Sequence, residues 1–164
     1  MSGYLIDSNI LIVSSRNYRQ KFFPIIWQFF KNNNQIYVLD KVYSELVCID
    51  DDLGKWVKDN YERIKIISDS SIIEYRKVVR YLVESGKWNP AGYQQWTMNS
   101  DKADPWLIAV AMKNDLTIIT DEKLKGPNGS PVDNEPKIPF VAKNFNVKTL
   151  TFWEFLEDQN FVAN

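Results

Sequence analysis

The chain has 164 residues, 45% hydrophobic and 25% charged, the size and composition of one ordinary globular domain. Its 20 Lys and Arg against 21 Asp and Glu leave a net charge of −1, so a globally basic nucleic-acid binder is not indicated, although net charge is blind to a local basic rim around an acidic centre. With no histidine and one cysteine, Ser-His-Asp and Cys-His catalysis and imidazole general bases are excluded, and a structural zinc site is disfavoured.

The 6 glycines form neither a Gly-x-Gly-x-x-Gly nor a Walker-type phosphate loop. Carboxylates acting with a metal are the main catalytic option left. Cys48 lies in apolar Val47-Cys48-Ile49, is expected to be buried and inert, and cannot form an internal disulfide, which fits a reducing cytosol. No apolar run approaches the roughly 20 residues that span a bilayer. Met1-Ser2-Gly3 leads straight into a strand, so no signal peptide is expected, and the expected location is cytoplasmic.

In chain order, residues 4–6 read as a short buried strand, followed by a helix over 8–14 with Ser8 or Asp7 as N-cap. Residues 21–31 form a strongly apolar helix with Pro24 in its first turn and Asn32-Asn33-Asn34 at its end. Residues 36–39 are the second strand, and Asp40 caps a helix running to about Ile49. Asp51-Asp52 introduces a helix over 53–60, 64–67 is a short alternating segment, and Asp69-Ser70 caps a long helix ending near Ser85-Gly86. A short helix follows Pro90, and Asp104-Pro105 opens a helix over 104–113 with Asp104 as N-cap. Residues 116–119 are a strand, 125–131 a turn-rich loop, 138–144 a helix, 147–150 a strand and 152–156 a final helix capped by Thr151 or Thr149. Strands alternating with helices predict an α/β fold with a central parallel sheet and helices on both faces.

Three acids fall where such a sheet gathers side chains at one edge: Asp7 after Tyr4-Leu5-Ile6, Asp104 at a helix start, and Asp121 after Leu116-Thr117-Ile118-Ile119-Thr120. Asp7 is either a helix cap or a metal ligand held rigid by the sheet. Glu45 is either a solvated helical residue or a fourth carboxylate close to Asp7. Asp104 is a good helix start in any case, and is preferred over Asp101 because Leu107, Ile108 and Val110 place it on the inner end of a buried helix. Either Asp121 or Glu122 could reach the site; Asp121, nearer the strand, is preferred. Acids gathered without a cation of their own call for a metal, and oxygen-only ligands favour Mg²⁺ or Mn²⁺. Trp27, Trp56 and Trp153 read as core, whereas Trp88 and Trp96 lie in a polar segment and are candidates for stacking on bases. Lys41, Lys102, Arg76, Lys77 and Arg80 are candidate phosphate contacts. Asp50-Asp51-Asp52 reads as a solvated cap.

Leu5-Ile6-Asp7-Ser8-Asn9-Ile10-Leu11 resembles the N-terminal hallmark of PIN domains, a hydrophobic strand followed by Asp, Ser or Thr, then Asn. Ala103-Asp104-Pro105-Trp106-Leu107-Ile108-Ala109 is similar to the third-acid motif of a PIN-like branch. Glu45 falls where these proteins carry a helical glutamate, and Thr117-Ile118-Ile119-Thr120-Asp121 looks like the strand end that carries their fourth acid. The resemblance runs from Tyr4 to about Leu156. It implies a parallel α/β/α sandwich and a metal-dependent endoribonuclease, often the toxin of a toxin–antitoxin pair and frequently a homodimer. It further implies Asp7, Glu45, Asp104 and Asp121 as Mg²⁺ or Mn²⁺ ligands, with Ser8, Asn9 and Thr120 supporting the cluster and Asn9 bonding a ligand carboxylate. The insert over 125–137 departs from the family and would form a lid or partner surface. Two other readings are a non-catalytic PIN-like module that binds RNA or protein, and a phosphoryl-accepting α/β domain recruiting Lys123 or Lys143.

Overall fold

The computed structural model describes residues 2–123 and 135–164. Four strands, β1 (Tyr4–Ile6), β2 (Ile36–Tyr37), β3 (Thr117–Ile119) and β4 (Thr149–Leu150), form an all-parallel sheet in the order β2-β1-β3-β4. Tyr4 lies opposite Ile36 on one side and Thr117 on the other, and Ile6 lies opposite Ile119. The inner strands are buried on both faces, which requires continuous apolar runs, and Leu5, Ile6, Ile118 and Ile119 supply them.

The described helices are α1 (Ser8–Asn17), α2 (Pro24–Asn32), α3 (Asp40–Val47), α4 (Asp52–Tyr61), α5 (Ile72–Glu84), α6 (Pro90–Thr97), α7 (Ala103–Asn114), α8 (Ile138–Asn144) and α9 (Phe152–Asp158). One group packs α1, α3 and α4 together and another packs α7 against α5 and α8, which with the sheet makes a three-layer α/β/α sandwich. α7 is the central helix. All of Pro105 to Ala111 is buried, as a helix clasped between a sheet and other helices demands. Asp115 ends it in the left-handed conformation (φ 53°), its N–H bonding to Ala111 O, and the chain turns directly into β3.

Several expectations are corrected. The second strand stops at Tyr37 because the segment at 64–67 takes over the pairing: Ile66 N donates to Val38 O at 2.9 Å and Asp40 N to Ile66 O at 2.8 Å. The long helix is entered through a 3-10 turn, Ser68–Ser71, rather than from an Asp69-Ser70 cap. α7 begins at Ala103, so Lys102 holds the N-cap position and Asp104 lies inside the first turn. Trp88 and Trp96 are core residues, 5% and 0% exposed, Trp96 on the inner face of α6 and Trp88 just before it against Tyr81 and Phe140, while Trp153 on the outer face of α9 is 60% exposed. Cys48 is exposed, since it caps α3 on the solvent side with its thiol bonded to Glu45 O. Of the insert over 125–137, residues 125–134 lie outside the described residues.

The passage from α3 to α4 depends on Gly54. Asp51 caps α4 by accepting from Gly54 N at 2.7 Å, and a Cβ on Gly54 would stand 2.4 Å from Ile49 O and 2.9 Å from Leu46 O. Both obstacles are backbone, so neither can rotate away. Gly54→Ala is expected to destabilise the fold by roughly 1–3 kcal/mol, read as a lower denaturant midpoint at unchanged m-value.

Candidate functional site

In the strand order β2-β1-β3-β4 the chain leaves β1 toward β2, then returns past β1 to β3. The crevice at the carboxyl ends of β1 and β3 is therefore the topological switch point, where open parallel sheets place their ligands. Asp7 follows β1 there, and Thr120, Asp121 and Glu122 follow β3. α7 runs back along the sheet for 12 residues before β3 begins, so its first turn brings Asp104 to the same edge. A half-open cleft of about 700 Å³ results, lined by Asp7, Ser8, Asn9, Glu45, Asp104 and Glu122 among others, with Lys41, Lys102 and Lys137 on its wall. A second cleft of about 650 Å³, between Arg19, Phe22, Trp27 and Trp56, has mixed charges and aromatic walls and none of these acids.

Asp7 is 3% exposed. It occupies the N-cap position of α1, yet its side chain makes no capping hydrogen bond. The backbone ties it to the next strand through Asp7 N and Ile119 O at 3.0 Å, and Thr120 Oγ1 donates to its Oδ2 at 2.9 Å. Burial first, then the Asp104 carboxylate, push its pKa from 3.8 up to about 7; Glu122 and Glu45 add to the rise, and the Thr120 hydroxyl opposes it. A buried acid with no capping duty, raised by other acids, is the electrostatic mark of a site rather than of a helix start.

Thr120 links two acids. Its hydroxyl donates to Asp7 and accepts from Glu122 N at 3.2 Å. Glu122 in turn accepts from Ile138 N at 2.7 Å, which anchors it to the start of α8. Its pKa is raised by burial, against the pull of the Ile138 amide, with Asp104 contributing. Asp104 is likewise raised by burial, while Lys102, 3.0 Å away, works in the opposite direction.

The contacts place the expected fourth acid away from the cleft lining. Asp121 is exposed and its Oδ1 accepts from Phe152 N at 2.8 Å, so it serves the start of α9; the strand end turns Asp121 toward β4 and Glu122 into the cleft. Glu45 lines the cleft from α3 but is exposed, and of the three carboxylates that act on Asp7 it acts least. Ser8 is buried beside Asp7. Asn9 is exposed on the wall, and among the described residues Thr120, rather than Asn9, bonds the Asp7 carboxylate. Asp40, the first residue of α3, is engaged by Lys41 N and Ser68 Oγ at 2.8 and 3.1 Å and holds the chain in place. Arg76, Lys77 and Arg80 lie on α5, outside the residues that line the cleft. Glu135 and Lys137 line the cleft and carry no strand or capping signal in the sequence; only the chain's return before α8 brings them there.

Among the described residues no group of three acids is arranged to hold a metal as it stands. The cation beside Asp104 is the Lys102 ammonium, which also reaches Glu135 at 3.0 Å. Burial works against that ammonium, but Asp104 and Glu135 outweigh it and hold its pKa above the usual lysine value. The donor set still fits a hard divalent cation: every ligand atom is oxygen, and the mutual repulsion that lifts Asp7 is relieved by positive charge.

Because the folded Asp7 pKa lies above its unfolded value of 3.8, the folded state holds a proton that the unfolded chain releases between about pH 4 and 7. The stability linked to this group is therefore complete below that window and lost as pH rises through it. Asp7→Asn is expected to melt higher than wild type at about pH 8 in EDTA, with the difference shrinking toward about pH 4. Thr120→Val, which removes the donor to Asp7 and leaves Glu122 N unpaired, is expected to lower stability by roughly 1–3 kcal/mol in chemical denaturation.

No curated protein matches the sequence. Residues 4–163 match the family described as a domain of unknown function, DUF4411, and the chain belongs to that family.

Proposed function

We propose that the protein is a divalent-metal-dependent endoribonuclease of the PIN-like kind, with Asp7, Asp104 and Glu122 as the carboxylates that hold Mg²⁺ or Mn²⁺ and Glu45 at the rim. The observation that carries this reading is Asp7: buried at the switch point, free of capping duty, and pushed to about 7 by that burial first and then by Asp104, Glu122 and Glu45. When bound, a divalent cation supplies Lewis acidity toward a phosphodiester and acidifies water near neutral pH. The protein's own residues do the rest. Thr120 fixes the Asp7 carboxylate and the backbone of Glu122 in one frame. Ile138 N keeps Glu122 turned to the cleft. Lys41, Lys102 and Lys137 offset the repulsion between an acidic cleft and a phosphate backbone, the local basic rim that a net charge of −1 conceals. The half-open cleft suits a strand of RNA better than a small enclosed ligand.

The resemblance in the first and third motifs extends the proposal to a toxin role, with an antitoxin as protein partner and a homodimer as assembly. The same resemblance implies hydrolysis that leaves 5′-phosphate and 3′-hydroxyl ends.

The test is cleavage of a mixed RNA pool by wild type and by Asp7→Asn/Asp104→Asn. Wild type with Mn²⁺ is expected to cut, and EDTA or the double substitution to reduce the rate by at least about 100-fold, the scale at which losing the metal removes its catalytic contribution. Equal cleavage by both proteins would assign the activity to a contaminant. A protein that binds Mn²⁺ and RNA without cutting would favour the non-catalytic binding module.

A further inference from the structure

The three lysines on the cleft wall are not held alike. Lys41 Nζ is bonded to Asp101 at 3.1 Å, an exposed acid outside the group around Asp7, and lies 5.8 Å over the Trp106 ring. Lys102 Nζ is shared, 3.0 Å from Asp104 Oδ2 and 3.0 Å from Glu135 Oε1. Its partners differ in kind. Asp104 belongs to the acidic group that raises Asp7, whereas Glu135 sits before α8 on the cleft wall. The Lys102, Asp104 and Glu135 side chains are 35%, 15% and 30% exposed, so the bridge is shielded on the Asp104 side and open on the Glu135 side.

A carboxylate oxygen that ligates a divalent cation cannot keep an ammonium at bonding distance without strong repulsion between the two cations. Lys102 has a second partner already in place and a flexible four-carbon stem on which to shift. An ammonium displaced toward the open side meets solvent, where it binds phosphate as a compact point charge.

Building on the metal-dependent reading above, we propose that Lys102 is the resident counter-ion of the acidic cleft: a divalent cation takes Asp104 from it, and Glu135 retains the displaced ammonium at the mouth, where it binds a substrate phosphate. Lys102 is thus the metal's competitor for Asp104 and a binding residue for the nucleic acid.

The test uses the full chain and two titrations at fixed ionic strength. Calorimetric titration with MnCl₂ is expected to show Lys102→Met binding Mn²⁺ about tenfold tighter than wild type, with Lys102→Arg near wild type and Lys41→Met within about threefold of it, since Lys102 is bonded to Asp104 whereas Lys41 is bonded to Asp101. Glu135→Gln is expected to weaken Mn²⁺ binding, because Lys102 then has Asp104 alone. Fluorescence anisotropy of a labelled single-stranded RNA, with Ca²⁺ in place of Mn²⁺, is expected to show Lys102→Met binding about tenfold more weakly, with a salt slope lower by about one phosphate contact. Equal gains in Mn²⁺ affinity from Lys102→Met and Lys41→Met would overturn the counter-ion role while leaving the metal site standing. Unchanged RNA affinity in Lys102→Met would overturn the phosphate role. A wild type that binds no Mn²⁺ would overturn the metal-dependent reading itself.

Discussion

The cleft depends on keeping a carboxylate buried among other carboxylates. Asp7 is 3% exposed, and Asp104, Glu122 and Glu45 all act on it with the same sign. Such an arrangement is unfavourable unless the acid is protonated, hydrogen-bonded or offered a cation. Thr120 meets part of the demand with one hydroxyl, and Lys102 neutralises Asp104 from the N-cap of α7. The surrounding fold serves to hold these groups where repulsion would otherwise spread them.

Rigidity comes from the central helix. α7 is buried nearly all round, so its first turn cannot drift. Trp106, one turn into it, donates from Nε1 to Ser100 O at 2.8 Å and stacks on Tyr75 with ring centroids 3.9 Å apart and 16° between planes. At its other end the left-handed Asp115 sends the chain straight into β3. Helix and strand thus form one hairpin-like unit whose two upper ends carry Asp104 and Glu122. Placing these carboxylates on or directly beside regular elements, rather than on long loops, fixes their positions.

Charge is organised in two shells. Burial and the carboxylates around it raise Asp7, while Lys41 and Lys102 on the wall are held by Asp101 and Glu135. An acidic centre with a basic margin can attract a divalent cation and a polyanion to one place, which a uniformly acidic or basic surface cannot.

The alternation of short apolar runs with amphipathic segments determined the parallel α/β/α architecture, because burial of both sheet faces leaves a direct imprint on composition. Pro90 marked its helix start, whereas the helix read from residue 21 begins only at Pro24, and of Thr149 and Thr151 it is Thr151 that caps the last helix. Asp7 and Asp104 were legible because each adjoins an unmistakable apolar element. What the sequence left undetermined were side-chain directions and distant returns of the chain. Whether Asp121 or Glu122 faces the cleft depends on the path from β3 to α9, along which Phe152 N claims Asp121. The burial of Trp96 depends on how α6 lies against its neighbours, and that of Trp88 on its meeting with Tyr81 and Phe140, which polar flanking residues conceal. The meeting of Lys102 with Glu135 spans 33 positions, read from their numbers 102 and 135, and no local pattern encodes it. Such long-range contacts belong to tertiary structure alone, because the packing of α7 and α8 against one sheet, rather than any residue's own preference, brings them together.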